Sequence, residues 1–188
     1  MIYLASASTR RADLLRQIGV PFSVVSAPVD ETQWALEAPL AYVERLAREK
    51  ARAGWAHPER RQNWPLLAAD TAVVLDDGIL AKPETETDGL AMLARLSGRR
   101  HRVMTAVCLK RAAAECCQVQ ISEVGFRPLT DAERRAYWHS GEGRDKAGGY
   151  AVQGLAARYI DYLAGSYSGV VGLPLHVVDA LLRRPEFL

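Results

Sequence analysis

An α/β fold is predicted for this chain by three features of its 188 residues. Short apolar runs suit buried strands, apolar stripes at helical spacing lie between them, and Gly/Pro clusters are scattered among these segments without a long linker. Two β-rich runs in succession near the middle add antiparallel pairing. No repeat or low-complexity tract divides the sequence, so a single domain over 1–188 is expected. Hydrophobic residues make up 49% of the chain, enough for a sizeable core and too many for a mainly disordered state.

Ile2-Tyr3-Leu4-Ala5 is an apolar run that reads as a buried strand. Ser6-Ala7-Ser8-Thr9 then offers hydroxyl caps for a helix carrying Leu14, Leu15 and Ile18 and closed by Gly19. Phe22 to Ser26 reads as a second strand. Leu40 to about Gly54 is helical, with a stripe of Leu40, Val43, Leu46, Ala47 and Ala51. A strand follows from Leu66 to Leu75, interrupted by Asp70-Thr71, and Asp76-Asp77-Gly78 turns it into Ile79-Leu80. Glu86 to Leu96 is a helix stopping at Ser97-Gly98. Val103 to Leu109 and Val119 to Phe126 are β-rich and can pair around the Ala-rich segment between them. Thr130 with Glu133 makes a capping box for a helix ending near Ser140-Gly141. Gly141 to Gly154 reads as loop, followed by apolar runs at Val170–Val171 and Leu173–Leu182.

Charge and cysteine usage exclude several function classes. The net charge is +2, and no basic run exceeds two residues, so a dedicated nucleic-acid surface is not expected. A small anionic ligand remains open. No stretch reaches the roughly 18–20 apolar residues that span a bilayer, and the N-terminus lacks a basic region before a long apolar run. A soluble cytoplasmic protein is the expectation. Cys108, Cys116 and Cys117 have neither metal spacing nor a CxxC, and His57, His101, His139 and His176 show no ligand spacing. Of the 24 basic residues only Lys50, Lys82, Lys110 and Lys146 are lysines.

Several segments carry chemistry. Ser8 with Arg10 and Arg11 stands where a strand passes into a helix; it is either an ordinary N-cap with surface arginines or a place where free N–H groups, the helix dipole and two guanidiniums attract phosphate oxygens. The segment contains no Gly, so it is neither a Walker loop nor a dinucleotide fingerprint. Lys50 falls within the apolar stripe, four residues after Leu46; it either snorkels at the edge or enters a cleft that supplies an anion. Asp70 breaks an apolar strand, and such a carboxylate needs a cation, a metal or a hydrogen-bond cluster, or else caps the next turn. Glu31 just beyond a strand is either a second hard oxygen ligand or a solvated carboxylate. Lys82 precedes Pro83, which favours extended backbone there, and by itself it reads equally as a surface lysine at a strand end. Asp145 to Gly154, with Lys146 and Gln153, combines small residues that allow close backbone approach with an amide able to read a base edge.

Together these segments resemble the Maf family of nucleoside triphosphate pyrophosphatases. The resemblance is carried by Ser6-Ala7-Ser8-Thr9-Arg10-Arg11, Val29-Asp30-Glu31, the Lys50 helix, Ala69-Asp70-Thr71, Ala81-Lys82-Pro83, Leu96-Ser97-Gly98 and Asp145 through Gly154, in that order along nearly the whole chain. Thr9 stands where the family usually has Pro. The resemblance implies an elongated mixed sheet with flanking helices and a central cleft, similar to inosine triphosphate pyrophosphatases, and frequently a homodimer. It implies hydrolysis of the α–β phosphoanhydride with a divalent cation, Mg²⁺ or Mn²⁺. Carried over, Asp70 is the catalytic proton acceptor, and Glu31 joins it as an acidic partner for metal or water. Lys50 and Lys82 become the triphosphate cations. Arg10, Thr71 and Gln153 match positions that separate the dTTP/UTP branch from the 7-methyl-GTP branch, and Thr71 and Gln153 fit the pyrimidine branch. Modified pyrimidine nucleotides are further candidate substrates. Two alternatives stay open: a 7-methyl-GTP-type pyrophosphatase, and a nucleotide-binding regulator of septum formation without turnover.

Overall fold

Ile2–Leu4 forms strand β1, buried throughout. In the computed structural model, which describes residues 1–26, 28–60 and 62–188, it pairs in parallel with β2 (Phe22–Val24) and β3 (Leu66–Leu75). Helix α1 (Thr9–Gln17) connects β1 to β2. Ser8 is its N-cap and accepts from the Arg11 amide, and Gly19 follows at φ 69°, a conformation open to glycine. The second strand ends two residues before the expected Ser26. Helix α2 (Pro39–Trp55) buries Val43, Leu46, Ala47 and Ala51 as their spacing predicts. Leu40, expected in that stripe, is 45% exposed, because the first side chain that α2 buries is Val43.

Asp70 and Thr71 do not interrupt β3, contrary to the sequence reading. The strand runs unbroken through both, because its whole length from Leu66 to Val74 pairs with β5 (Arg100–Arg111). A turn at Asp76 and Asp77, both at positive φ, leads into β4 (Gly78–Leu80), which folds back on β3. Helix α3 (Glu86–Leu96) precedes β5, and β6 (Ala114–Phe126) follows it. The hairpin of β5 and β6 is longer than Val103–Leu109 and Val119–Phe126: its register continues to Arg111↔Ala114, leaving two residues in the turn. Helix α4 (Asp131–His139) starts at the expected capping box of Thr130 and Glu133.

Strand β7 (Ile160–Ala164), in a stretch to which the sequence reading assigned no element, pairs with β6 at the sheet edge. Helices α5 (Tyr167–Val171) and α6 (Leu175–Leu182) account for the last apolar runs. The sheet order is β2-β1-β3-β5-β6-β7, with β4 beside β3. A mixed sheet with flanking helices is thus the observed fold.

Period-two alternation along β3 divides the core. Leu67, Ala69 and Val73 join one cluster, while Leu66, Ala68, Ala72 and Val74 join another with Val43, Ala47 and Ala51 of α2. Asp70 belongs by parity to the α2 face. One edge of β3 is continuous, but on the other β1 pairs at Leu66 and Leu67 and β4 from Val73 to Leu75. Among the described residues, the stretch 68–72 has no strand partner there, and this gap opens a notch in the sheet. Among the same residues, no helix is long and apolar enough to cross a membrane.

Candidate active site

The notch opens into a cleft of about 980 Å³. All eleven residues singled out from the sequence line it: Ser8, Arg10, Arg11, Glu31, Lys50, Asp70, Thr71, Lys82, Asp145, Lys146 and Gln153. They come from the β1–α1 junction, the β2–α2 loop, α2, β3, the segment after β4 and the Gly-rich stretch. Backbone ends at a gap in the sheet gather chemistry from distant sequence.

Its floor is an ion triad. Lys50 Nζ stands 2.6 Å from Asp70 Oδ1 and 2.6 Å from Glu31 Oε1. Lys50 reaches Asp70 because its position, seven after Val43, keeps it on the face of α2 that packs on β3. Asp70 is 6% exposed, so its charge is compensated by that ammonium. Burial pushes the Glu31 carboxyl up, but the hydrogen bond and charge of Lys50, with Lys82 and Arg11, together hold it below its ordinary value.

Residues not anticipated from the sequence place Glu31. Tyr42 Oη donates to the Glu31 carbonyl at 3.0 Å, and Arg45 donates to the Thr32 carbonyl at 3.1 Å while pairing with Glu37. The Arg45 guanidinium also lies 4.1 Å from the Trp34 ring centre. Tyr42 and Arg45 lie on α2, so the helix that carries Lys50 also carries the anchors of the Glu31 loop. Arg45 follows Tyr42 by three residues, a spacing that marks them as neighbours on one helix face, but nothing in the sequence points to a loop as their partner.

Arg11 is committed inward. It donates to Gly172 O at 2.8 Å, Thr71 Oγ1 at 3.2 Å and Ser6 Oγ at 3.3 Å. Burial lowers its pKa against the pull of Asp70. Thr71 Oγ1 is 2.9 Å from Thr105 Oγ1, and Thr105 donates to Gly169 O at 2.8 Å. This chain of contacts ties β3 to α5 beneath the cleft. Lys82 is exposed at the opposite wall. Lys146 pairs with Asp145 at 2.5 Å, and this bond holds the Asp145 carboxyl below its usual range. Among the described residues, five cations therefore face four carboxylates, Glu84 being the fourth. The lining is suited to a polyanion that brings its own counter-ion.

Asp70 and Glu31 are hard oxygen donors, and no histidine or cysteine among the described residues lines the cleft. Among the described residues no group of three or more His, Cys, Asp or Glu could hold a metal ion. Two carboxylates that leave the remaining positions to phosphate oxygens and water suit Mg²⁺ or Mn²⁺ at a triphosphate.

The chain is 47% identical to a protein of Pseudoalteromonas atlantica named dTTP/UTP pyrophosphatase, covering 98% of this chain and 96% of that one. It is 50% identical to a protein of the same name from Alcanivorax borkumensis, covering 97% and 94%. Among solved structures, the Staphylococcus aureus Ham1 protein matches with a TM-score of 0.45 and 16% identity over 69% of this chain and 72% of that one. The Maf family, described as Maf-like protein, matches residues 1–185, and with the segments that surround the notch this places the chain in the Maf family.

Proposed function

We propose that this chain is a nucleoside triphosphate pyrophosphatase that hydrolyses dTTP and UTP to the nucleoside monophosphate and pyrophosphate. The observation that carries this reading is the buried Asp70 beside Lys50 and Glu31 at the floor of a cation-lined cleft, in a chain whose relatives bear that name. Attack at the α-phosphorus forms a bond from water oxygen to phosphorus and breaks the bond to the α–β bridging oxygen, which leaves with its electron pair on pyrophosphate. Asp70 takes the proton from the water. Lys50 orients that carboxylate, and Arg10, Lys82 and Lys146 neutralise the phosphate oxygens where charge accumulates. Asp70 and Glu31 would hold Mg²⁺ or Mn²⁺, which when bound supplies further charge neutralisation at the phosphates. Gln153, exposed at the rim, presents an acceptor and a donor that can pair with pyrimidine N3–H and O4.

The test is pyrophosphate release from dTTP, UTP, CTP, GTP and 7-methyl-GTP in the presence of Mn²⁺. Turnover of dTTP and UTP is expected to fall at least about 100-fold in Asp70→Asn, the usual range for losing a general base. No release above that variant from any substrate would leave a binding protein without turnover. Preference for 7-methyl-GTP would move the substrate to the other branch.

A further inference from the structure

Gln153 sits at the apex of a tight turn whose two ends are tied to one unit of α4 and the loop after it. The turn closes through Gly154 N donating to Ala151 O at 3.2 Å. On its N-terminal side, the Ala151 amide donates to Tyr137 Oη at 3.1 Å. On its C-terminal side, the Leu155 and Ala156 amides donate to Glu142 Oε1 at 2.8 Å and Glu142 Oε2 at 3.3 Å. The two anchors are joined, since Tyr137 Oη donates to Glu142 Oε2 at 2.8 Å.

Tyr137 is 3% exposed and Trp138 beside it 8%, so the unit is fixed to the core. The carboxylate lies so close over Gly154 that a Cβ there would stand 1.8 Å from Glu142 Oε1. Four hydrogen bonds around a four-residue turn leave the backbone of Gln153 little freedom, although its side chain faces the cleft. None of these atoms belongs to the ion triad or to the cationic wall. Neither Tyr137 nor Glu142 lines the cleft, so neither is a catalytic residue.

We propose that Glu142, braced by Tyr137, is a positioning residue for base recognition: it locks the turn 151–154 so that the Gln153 amide meets the base at one place, and selectivity among bases depends on that lock. The inference rests on the pyrophosphatase reading for its ligand but not for its readout, which is binding. A loose turn would let the amide follow whichever base edge is offered, and discrimination would fall while phosphate grip persisted.

The experiment is calorimetric titration with the α,β-methylene analogues of dTTP and GTP in Mg²⁺, using wild type, Glu142→Gln, Tyr137→Phe, Gln153→Ala and Glu142→Gln/Gln153→Ala. Expected is a dTTP-over-GTP affinity ratio that falls about tenfold in Gln153→Ala, the worth of one hydrogen bond of recognition. Glu142→Gln and Tyr137→Phe should lower it at least about threefold on the same scale. In the Gln153→Ala background, Glu142→Gln should change the ratio less than about twofold, because the two act through one contact. A purely structural Glu142 would weaken both analogues alike and leave the ratio where it was, overturning the proposal. So would an equal loss in both backgrounds, or a wild type without base preference. Should the wild type discriminate yet release no pyrophosphate from dTTP, the pyrophosphatase reading fails and the positioning role stands.

Discussion

At Lys50 a single ammonium is shared by two carboxylates, 2.6 Å from each, and its side chain is only 15% exposed. A planar guanidinium is wider and prefers bidentate partners in its own plane. Lys50→Arg therefore displaces Glu31 or Asp70 despite unchanged charge, and kcat for dTTP should drop at least about tenfold, since ångström misplacement of a reacting group is costly; a wild-type rate would refute this. Lys50 was legible because four- and seven-residue spacing to Leu46 and Val43 set a charge in an apolar stripe. Glu31 was legible only through the family resemblance, since by itself a carboxylate after a strand is ordinarily solvated, and its partner lies across the fold. His101 is a second buried titratable group, 3% exposed, with Nε2 2.7 Å from Tyr150 Oη and no hydrogen-bond partner for Nδ1 among the described residues. Burial pushes its pKa down to about 4. The unfolded chain, with the ordinary value near 6.5, takes up the proton first, so this group's contribution is full above about pH 6.5 and is lost as pH falls towards 4, by about 1.4 kcal/mol per unit. Urea unfolding of His101→Phe across that window should show a slope shallower by that amount. Parallel curves for variant and wild type would remove His101 from the acid response.

Among the elements, the hairpin of β5 and β6 shows where sequence patterning stops. Its apolar half was readable, but the turn is made by Ala112 and Ala113, with Ala112 at φ 49°. Neither residue announces a hairpin, because Asn or Gly normally fills such positions. Glu115 and Gln118 lie on β6 because the register, once set, carries them; Glu115 is held there by Arg48 and Arg52 from α2. The edge strand β7 escaped detection for a related reason, as Ile160–Ala164 is short, only partly buried and carries Asp161. An alanine in left-handed backbone is strained by about 1 kcal/mol or more. Ala112→Gly should relieve it and raise stability by roughly 0.5–1 kcal/mol net of the added freedom of the unfolded chain, seen as a higher urea midpoint at unchanged slope. A lower midpoint would mean that the Ala112 backbone is not strained.

For the whole molecule, the notch between β1 and β4 decides what the fold does, and the sequence could suggest its contents without its shape. Most of the charged lining residues stood out by residue type, but that they converge depends on β4 folding back on β3 after the gap at 68–72, which is a matter of register. The cleft is also self-compensated. With Lys50 between Asp70 and Glu31, the two carboxylates already have a cation, and each face of β3 carries its own apolar cluster. On the proposed reading, a divalent ion would therefore serve substrate binding and chemistry and not folding, unlike metal-stabilised domains. A chelator should abolish pyrophosphate release while leaving the thermal midpoint of the free protein within about 1 °C, since an ion that does not bind the free fold tightly adds nothing by mass action. Adding Mg²⁺ with the α,β-methylene dTTP analogue at 100 times its Kd should raise stability by about 2.7 kcal/mol, and the chelator should reverse that gain. A midpoint that falls on chelation without nucleotide would show that the carboxylates hold a resident ion in place of Lys50, and would require the triad to be redrawn with the lysine displaced.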